Sequence, residues 1–165
     1  MKNLYCPWRS LYSSDDGRSK QEDATSDECV FCAQINEHND ADNLILKRFK
    51  HHIVMLNKYP YNAGHLLILP VEHYADLSQL SPEAQHELIE LTACCSELVK
   101  KELKAHGINI GMNLGKAAGA GIPSHLHMHI LPRFHGDTNF MPTIAETKNV
   151  SFDLHKLYEE LQQKL

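Results

Sequence analysis

Between Ser124 and Arg133 the sequence reads SHLHMHILPR, three histidines two residues apart with Leu126, Met128 and Ile130 between them and beyond. A period of two belongs to an extended strand, in which successive side chains point to opposite faces. On a helix the same three histidines would fan around the surface. The stretch therefore predicts a strand that buries Leu126, Met128 and Ile130 and turns His125, His127 and His129 toward solvent or a cleft. A strand with one buried face needs neighbours, so this segment calls for a sheet.

The flanking sequence supplies them. NLILKRF and HIVMLN are β-rich and close enough to pair, YPYNAG reads as a turn, and HLLILP as a buried strand ended by Pro70. Ser81-Pro82 predicts a helix start, with serine as cap and proline at the first helical position. Ala84, Leu88, Leu91, Cys95 and Leu98 follow at helical spacing, giving a helix of roughly 24 residues and about 35 Å that stops before Gly107. INIGMNLG reads as a strand and KAAGAGIPS as a small-residue loop. SFDLHKLYEELQQKL places Phe152, Leu154, Leu157, Tyr158 and Leu161 on one side of a final helix. Strands, long helix, strands and helix predict an α+β domain with a mainly antiparallel sheet.

At 165 residues the chain suits one domain. Ser13 to Glu28 is polar and reads as a flexible loop, so the expected organisation is an N-terminal arm and loop over 1–28 and a single domain over 29–165. The arm, LYCPWRSLY, carries the only tryptophan. The longest apolar run, Leu66 to Val71, is too short for a membrane span, which needs about 20 residues. With no export signal in Met1 to Tyr12, a cytoplasmic protein is expected, its five cysteines thiols or metal ligands and not disulfides. A formal charge of −5 with scattered Lys and Arg disfavours nucleic acid as a partner.

Three imidazoles in register can clamp a metal or do chemistry. Residues i and i+4 on a strand stand roughly 13 Å apart, so all three meeting one ion would buckle the strand. A catalytic row, one ring reacting and two supporting it, fits better. A neutral imidazole attacking phosphorus would give a covalent intermediate that splits one displacement into two. Gly115, Gly119 and Gly121 would let backbone N–H groups approach a phosphate. Cys29-Val-Phe-Cys32 is a CxxC whose thiolates can reach one ion. Two readings of that pair stay open, half of a metal site or two buried or redox-active thiols.

HLHMHIL resembles the His-x-His-x-His-x-x signature of the histidine-triad family, and Pro132-Arg133 often follows it there. LNKYPYNAGHLLILP is similar to the family's ribose-binding strand and Gly-His turn, and NIGMNLGKAAG to its phosphate-side strand and loop. LYCPWRSLY, NLGKAAGAG and GDTNFMP resemble the bacterial branch acting on diadenosine tetraphosphate. The resemblance implies a five-stranded sheet with one long helix and a C-terminal helix, continued across a homodimer. It implies His127 as nucleophile on an α-phosphate, His129 bonded to phosphate oxygens, His125 orienting the row and His65 supporting it. Asn57 would contact ribose, and Asn113 with Gly119, Gly121 and Ser124 the phosphates. Many members carry glutamine after the loop's Ala-Gly, where this chain continues Ala120-Gly121 in a loop one residue longer. By the same resemblance Cys29, Cys32, His73 and His125 would bind a structural zinc, and no organic cofactor is implied.

The implied activity is cleavage of adenosine polyphosphates such as diadenosine tetraphosphate, with water or phosphate as acceptor. Rival readings are an adenosine phosphoramidate or acyl-adenylate hydrolase, a nucleotide-binding protein without catalysis, and a metal-dependent hydrolase built on the imidazole row.

Overall fold

The computed structural model describes residues 24–137 and 152–165. The arm LYCPWRSLY, the loop up to residue 23 and most of GDTNFMP lie outside the described residues. Five antiparallel strands form one sheet in the order β1-β2-β3-β5-β4. They are β1 (Ile45–Arg48), β2 (His52–Leu56), β3 (Leu66–Pro70), β4 (Gly107–Gly111) and β5 (Met128–Arg133). Among the described residues three α-helices accompany them, α1 (Val30–Asn36), α2 (Pro82–Glu102) and α3 (Leu154–Gln162). This is the expected α+β architecture, with α1 added.

The sheet is covered on both faces. Val54 and Leu56 of β2, Leu66 and Ile68 of β3 and Met128 and Ile130 of β5 pack with Leu88, Leu91, Cys95 and Leu98 of α2 and Leu157 and Leu161 of α3. Ile53, Met55, Leu67 and Leu69 point the other way and pack with Phe31, Cys32 and Ile35 of α1. β2 and β3 are consequently buried at every position, which is why their sequences read as unbroken apolar runs.

α2 starts where the sequence says it should. Ser81 Oγ accepts from the Ala84 N–H at 3.2 Å, and Pro82 stands at the first helical position. The helix is 21 residues long and ends at Glu102. Gly107 does not stop it. The left-handed residue after α2 is Lys104, φ 53°, and Gly107 opens β4 instead.

The histidine stretch differs from the expected strand at its start. β5 begins at Met128, so His125 and His127 precede it and only His129 lies in the ladder, opposite Leu67. Alternation persists through the irregular part, with Leu126 buried in the α2 core and its N–H on the Tyr74 carbonyl at 2.6 Å. The odd-numbered rings face α1, and His125 and His127 are 1% and 7% exposed, far from a solvent face.

Candidate active site and metal centre

The Gly-His turn between β2 and β3 sets one side of the site. Gly64 has φ +75°, a left-handed conformation that favours glycine, and a Cβ there would lie 2.1 Å from Leu103 Cδ1, so that side chain would also have to shift. His65 follows, fully buried, on the same sheet face as Leu67. Its Nδ1 accepts the Tyr61 N–H at 3.2 Å, with Asn57 Nδ2 at 3.3 Å. A ring nitrogen that accepts from a backbone N–H carries no proton, so His65 holds its proton on Nε2. That Nε2–H donates to His129 Nδ1 at 2.8 Å. His129 is thereby left with its own N–H on Nε2, a donor.

The tautomer of His127 is set from the other side. Its Nδ1 lies 2.8 Å from the His125 carbonyl oxygen, which can only accept, so Nδ1 carries the hydrogen and Nε2 the lone pair. Burial lowers the His127 pKa below its ordinary value, partly opposed by that carbonyl, and the ring stays neutral at pH 7. The His127 and His129 ring centroids are 4.9 Å apart. A lone pair and an N–H donor thus stand side by side.

Both rings line a cleft of about 320 Å³. Phe31, Met55, Leu67 and Ile122 give it an apolar slot, and Asn57, Lys58, Tyr61 and Gln34 add polar groups. Tyr61 stacks on His129, with ring centroids 5.9 Å apart and planes inclined 21°. Among the residues expected to bind substrate, Asn57 and Gly121 line the cleft, and Asn113 and Gly119 are not among the lining residues. Gly119 sits on the exposed loop with φ +92°. Ser124 is buried beside His125 with no hydrogen-bond partner for its Oγ.

His125 turns away from the cleft, toward α1. Its Nε2–H donates to the Pro70 carbonyl at 3.0 Å, leaving the Nδ1 lone pair 3.5 Å from both Cys29 Sγ and Cys32 Sγ. His73 repeats the arrangement, with Nε2–H on the Ala24 carbonyl at 3.1 Å and Nδ1 3.2 Å from Cys32 Sγ. The four ligand atoms lie within 4.8 Å of one another, so these residues could hold a metal ion. The donor set fits a cation, because each imidazole keeps its unprotonated nitrogen inward and anchors the other on a carbonyl, as metal-binding histidines do. Burial, with Cys29 next to it, pushes the Cys32 thiol up to about 12, and burial pulls His125 down to about 4. The lowered His125 pKa leaves its Nδ1 lone pair free for a cation, whereas the two thiols would have to release their protons as the ion bound. Phe31, between the two cysteines in sequence, touches both centres, with ring centroids 5.6 Å from His125 and 5.4 Å from His127.

Several residues here were not singled out from sequence. Phe31 and Gln34 belong to a helix too short to announce itself, and Tyr61 lay within a turn. Asn62 is buried and donates from Nδ2 to the Pro132 carbonyl and to Asp137 Oδ2, both at 2.9 Å, tying the Gly-His turn to the end of β5. Asp137 also accepts from Arg133 Nε at 2.7 Å. The quoted NKYPYNAGH and the arginine after ILP were the signals that held these contacts.

The HIT domain family model matches residues 38–136. A protein of Mycobacterium tuberculosis called AP-4-A phosphorylase is 31% identical over 148 residues, covering 90% of this chain and 76% of that one. Among solved structures, a Zn-bound histidine triad family protein from Mycobacterium smegmatis superimposes with a TM-score of 0.67 at 26% identity, covering 84% of this chain and 94% of that one. A hypothetical histidine triad nucleotide-binding protein from Sulfolobus tokodaii gives 0.66 at 26% identity, covering 82% of this chain and 90% of that one. With the sheet, the Gly-His turn and the triplet in place, the chain belongs to the HIT domain, or histidine-triad, family.

Proposed function

We propose that this protein is a nucleotidyl hydrolase or transferase that cleaves dinucleoside polyphosphates, of which diadenosine tetraphosphate is the substrate to test first. The observation that carries the reading is the His127 lone pair, held on Nε2 by the His125 carbonyl and facing the cleft. Nε2 attacks the α-phosphorus as the phosphorus–oxygen bond to the remaining phosphates breaks, giving a nucleotidyl-His127. The ring then bears positive charge, and its Nδ1–H stays on the His125 carbonyl, which stabilises it. The His129 Nε2–H meets the negative charge growing on the phosphate oxygens, with Ser124 and the loop through Gly119 and Gly121 as further donors. Water or inorganic phosphate attacks phosphorus next, the nitrogen–phosphorus bond breaks, and the lone pair returns to Nε2. Asn57 and Asn113 hold ribose and phosphate. The name of the M. tuberculosis relative supports the substrate class.

The two-sulfur, two-nitrogen donor set of Cys29, Cys32, His73 and His125 suits tetrahedral zinc. Bound there, zinc supplies a cross-link between α1, the β3 end and the histidine stretch, and no step of the reaction. The Zn-bound M. smegmatis protein supports this assignment. Residues 29–165 act as one domain, and β4, whose Asn109, Ile110 and Gly111 are exposed on the sheet edge, suits pairing with a second copy in a homodimer.

The test is incubation with diadenosine tetraphosphate, with and without phosphate. ADP plus ATP means phosphorolysis and AMP plus ATP hydrolysis. No cleavage under either condition refutes the proposal.

A further inference from the structure

The turn that carries His65 is held to the strand that carries His129 by one buried side chain, Asn62, which is not among the residues lining the cleft. Main-chain pairing of β3 with β5 runs from Ile68 opposite Met128 to Leu66 opposite Ile130, so His65 lies just past the last paired residue. Beyond that point Asn62 closes the seam. Its carbonyl accepts the His65 N–H at 3.3 Å, and its Nδ2 donates at 2.9 Å to the carbonyl of Pro132, three residues after His129. The His65–His129 ring pair, 2.8 Å from Nε2 to Nδ1, is therefore braced on both sides by a single residue.

Asp137 fixes how that residue sits. Its Oδ2 takes the second Nδ2 hydrogen at 2.9 Å, and Arg133 grips the carboxylate from Nε at 2.7 Å and Nη2 at 3.0 Å. A carbonyl and a carboxylate can only accept, so the amide nitrogen must face them and the side chain cannot flip. Hydrogen bonds weaken steeply away from ideal distance and angle, and a misplacement of about 1 Å near the chemistry can cost about 10²-fold in rate. We infer that Asn62, seated by Asp137, is a positioning residue that sets the His65–His129 hydrogen bond and through it the aim of the His129 Nε2–H at the phosphate. The inference rests on the phosphoryl chemistry proposed above, and adds the residues that hold its donor in place.

Two measurements on the zinc-loaded protein test it, with Asn62→Ala, His65→Ala and the double variant. In magnetic resonance with isotope-labelled histidine rings, the scalar coupling across the N–H···N bond from His65 to His129 should be present in wild type. It should drop by about half or more in Asn62→Ala. On diadenosine tetraphosphate, kcat of Asn62→Ala should fall roughly tenfold while KM stays within about threefold and zinc content is unchanged. Because Asn62 acts through His65, the double variant should be no more than about twofold slower than His65→Ala. A purely structural role would leave the coupling alone and multiply the two losses in kcat. Either result overturns the inference, as does the absence of the coupling in wild type. Should Asn62→Ala not fold, Asp137→Ala, which frees one Nδ2 hydrogen, must weaken the coupling in the same way, and an unchanged coupling there overturns it equally. If wild type cleaves no dinucleotide, the proposed function falls, while the coupling still decides whether Asn62 holds the ring pair.

Discussion

His125 and His127 stand two residues apart, are both buried and both have depressed pKa values, yet they serve different centres. The difference lies in which nitrogen meets a carbonyl. His125 gives its Nε2–H to Pro70 and keeps the Nδ1 lone pair for the cysteines. His127 gives its Nδ1–H to His125 itself and keeps the Nε2 lone pair for the cleft. In the proposed assignment, one backbone oxygen each separates the metal ligand from the nucleophile. Because His125 supplies the carbonyl that orients His127, the metal cluster and the cleft share a residue, and Phe31 packs against both.

The sharpest way to break this division is to remove each ring's task separately. In His127→Ala, turnover of diadenosine tetraphosphate should drop by about 10³-fold or more, the scale of losing a nucleophile. Metal content and thermal midpoint should stay near wild type; substantial residual turnover would sink the nucleophile assignment. Cys32→Ser is the converse. Bound zinc, measured by plasma emission, should fall from about one equivalent to under half, and several kcal/mol of metal-linked stability should go with it. For a chain of this size that is on the order of 10 °C in Tm. Unchanged zinc and Tm would leave the cluster as a pair of buried thiols.

Gly64→Ala probes the turn that carries His65. A Cβ 2.1 Å from Leu103 Cδ1, on a backbone with φ +75°, should cost about 2–3 kcal/mol in denaturant unfolding. His65→Ala removes the donor to His129 Nδ1 and should lower kcat about 10- to 100-fold, while leaving zinc in place. Equal damage to zinc and kcat would mean that the two centres are not separable on the His65 side.

The smallest expected effect is on pH dependence. In the proposed mechanism His127 must be neutral to attack, and burial holds its pKa below 6.5. The acid limb of kcat/KM should therefore fall below pH 6.5. The same shift acts on stability. Above pH 6.5 the ring is neutral folded and unfolded, and nothing changes. As pH drops below 6.5 the unfolded chain takes up the proton first, so stability declines until the folded ring is protonated too. An acid limb above pH 7 would mean that another group limits the rate.

Much of this architecture could be read locally. Ser81-Pro82 begins α2 because cap and first-turn chemistry involve only neighbouring residues, and Leu157, Tyr158 and Leu161 mark the buried stripe of α3. The end of α2 was misplaced because Lys104, not Gly107, takes the left-handed conformation, a choice made by packing and not by residue type. α1 went unread because VFCAQIN is two turns long, and its helix leans on the sheet and the cysteine cluster. Gln34 was invisible for the same reason, since a glutamine signals nothing until its neighbours in space are known.

Alternation through Ser124 to Arg133 and the CxxC mark the candidate imidazoles and thiols from the chain alone, because periodicity and spacing are properties of the chain. His65, His73 and the four-ligand set are named only through resemblance to the histidine-triad family. Allocation of the three imidazoles required the folded molecule. Which ring nitrogen bears a proton depends for His125 on the Pro70 carbonyl, for His73 on the Ala24 carbonyl and for His129 on the His65 ring, all tens of residues away, and only tertiary packing delivers those partners.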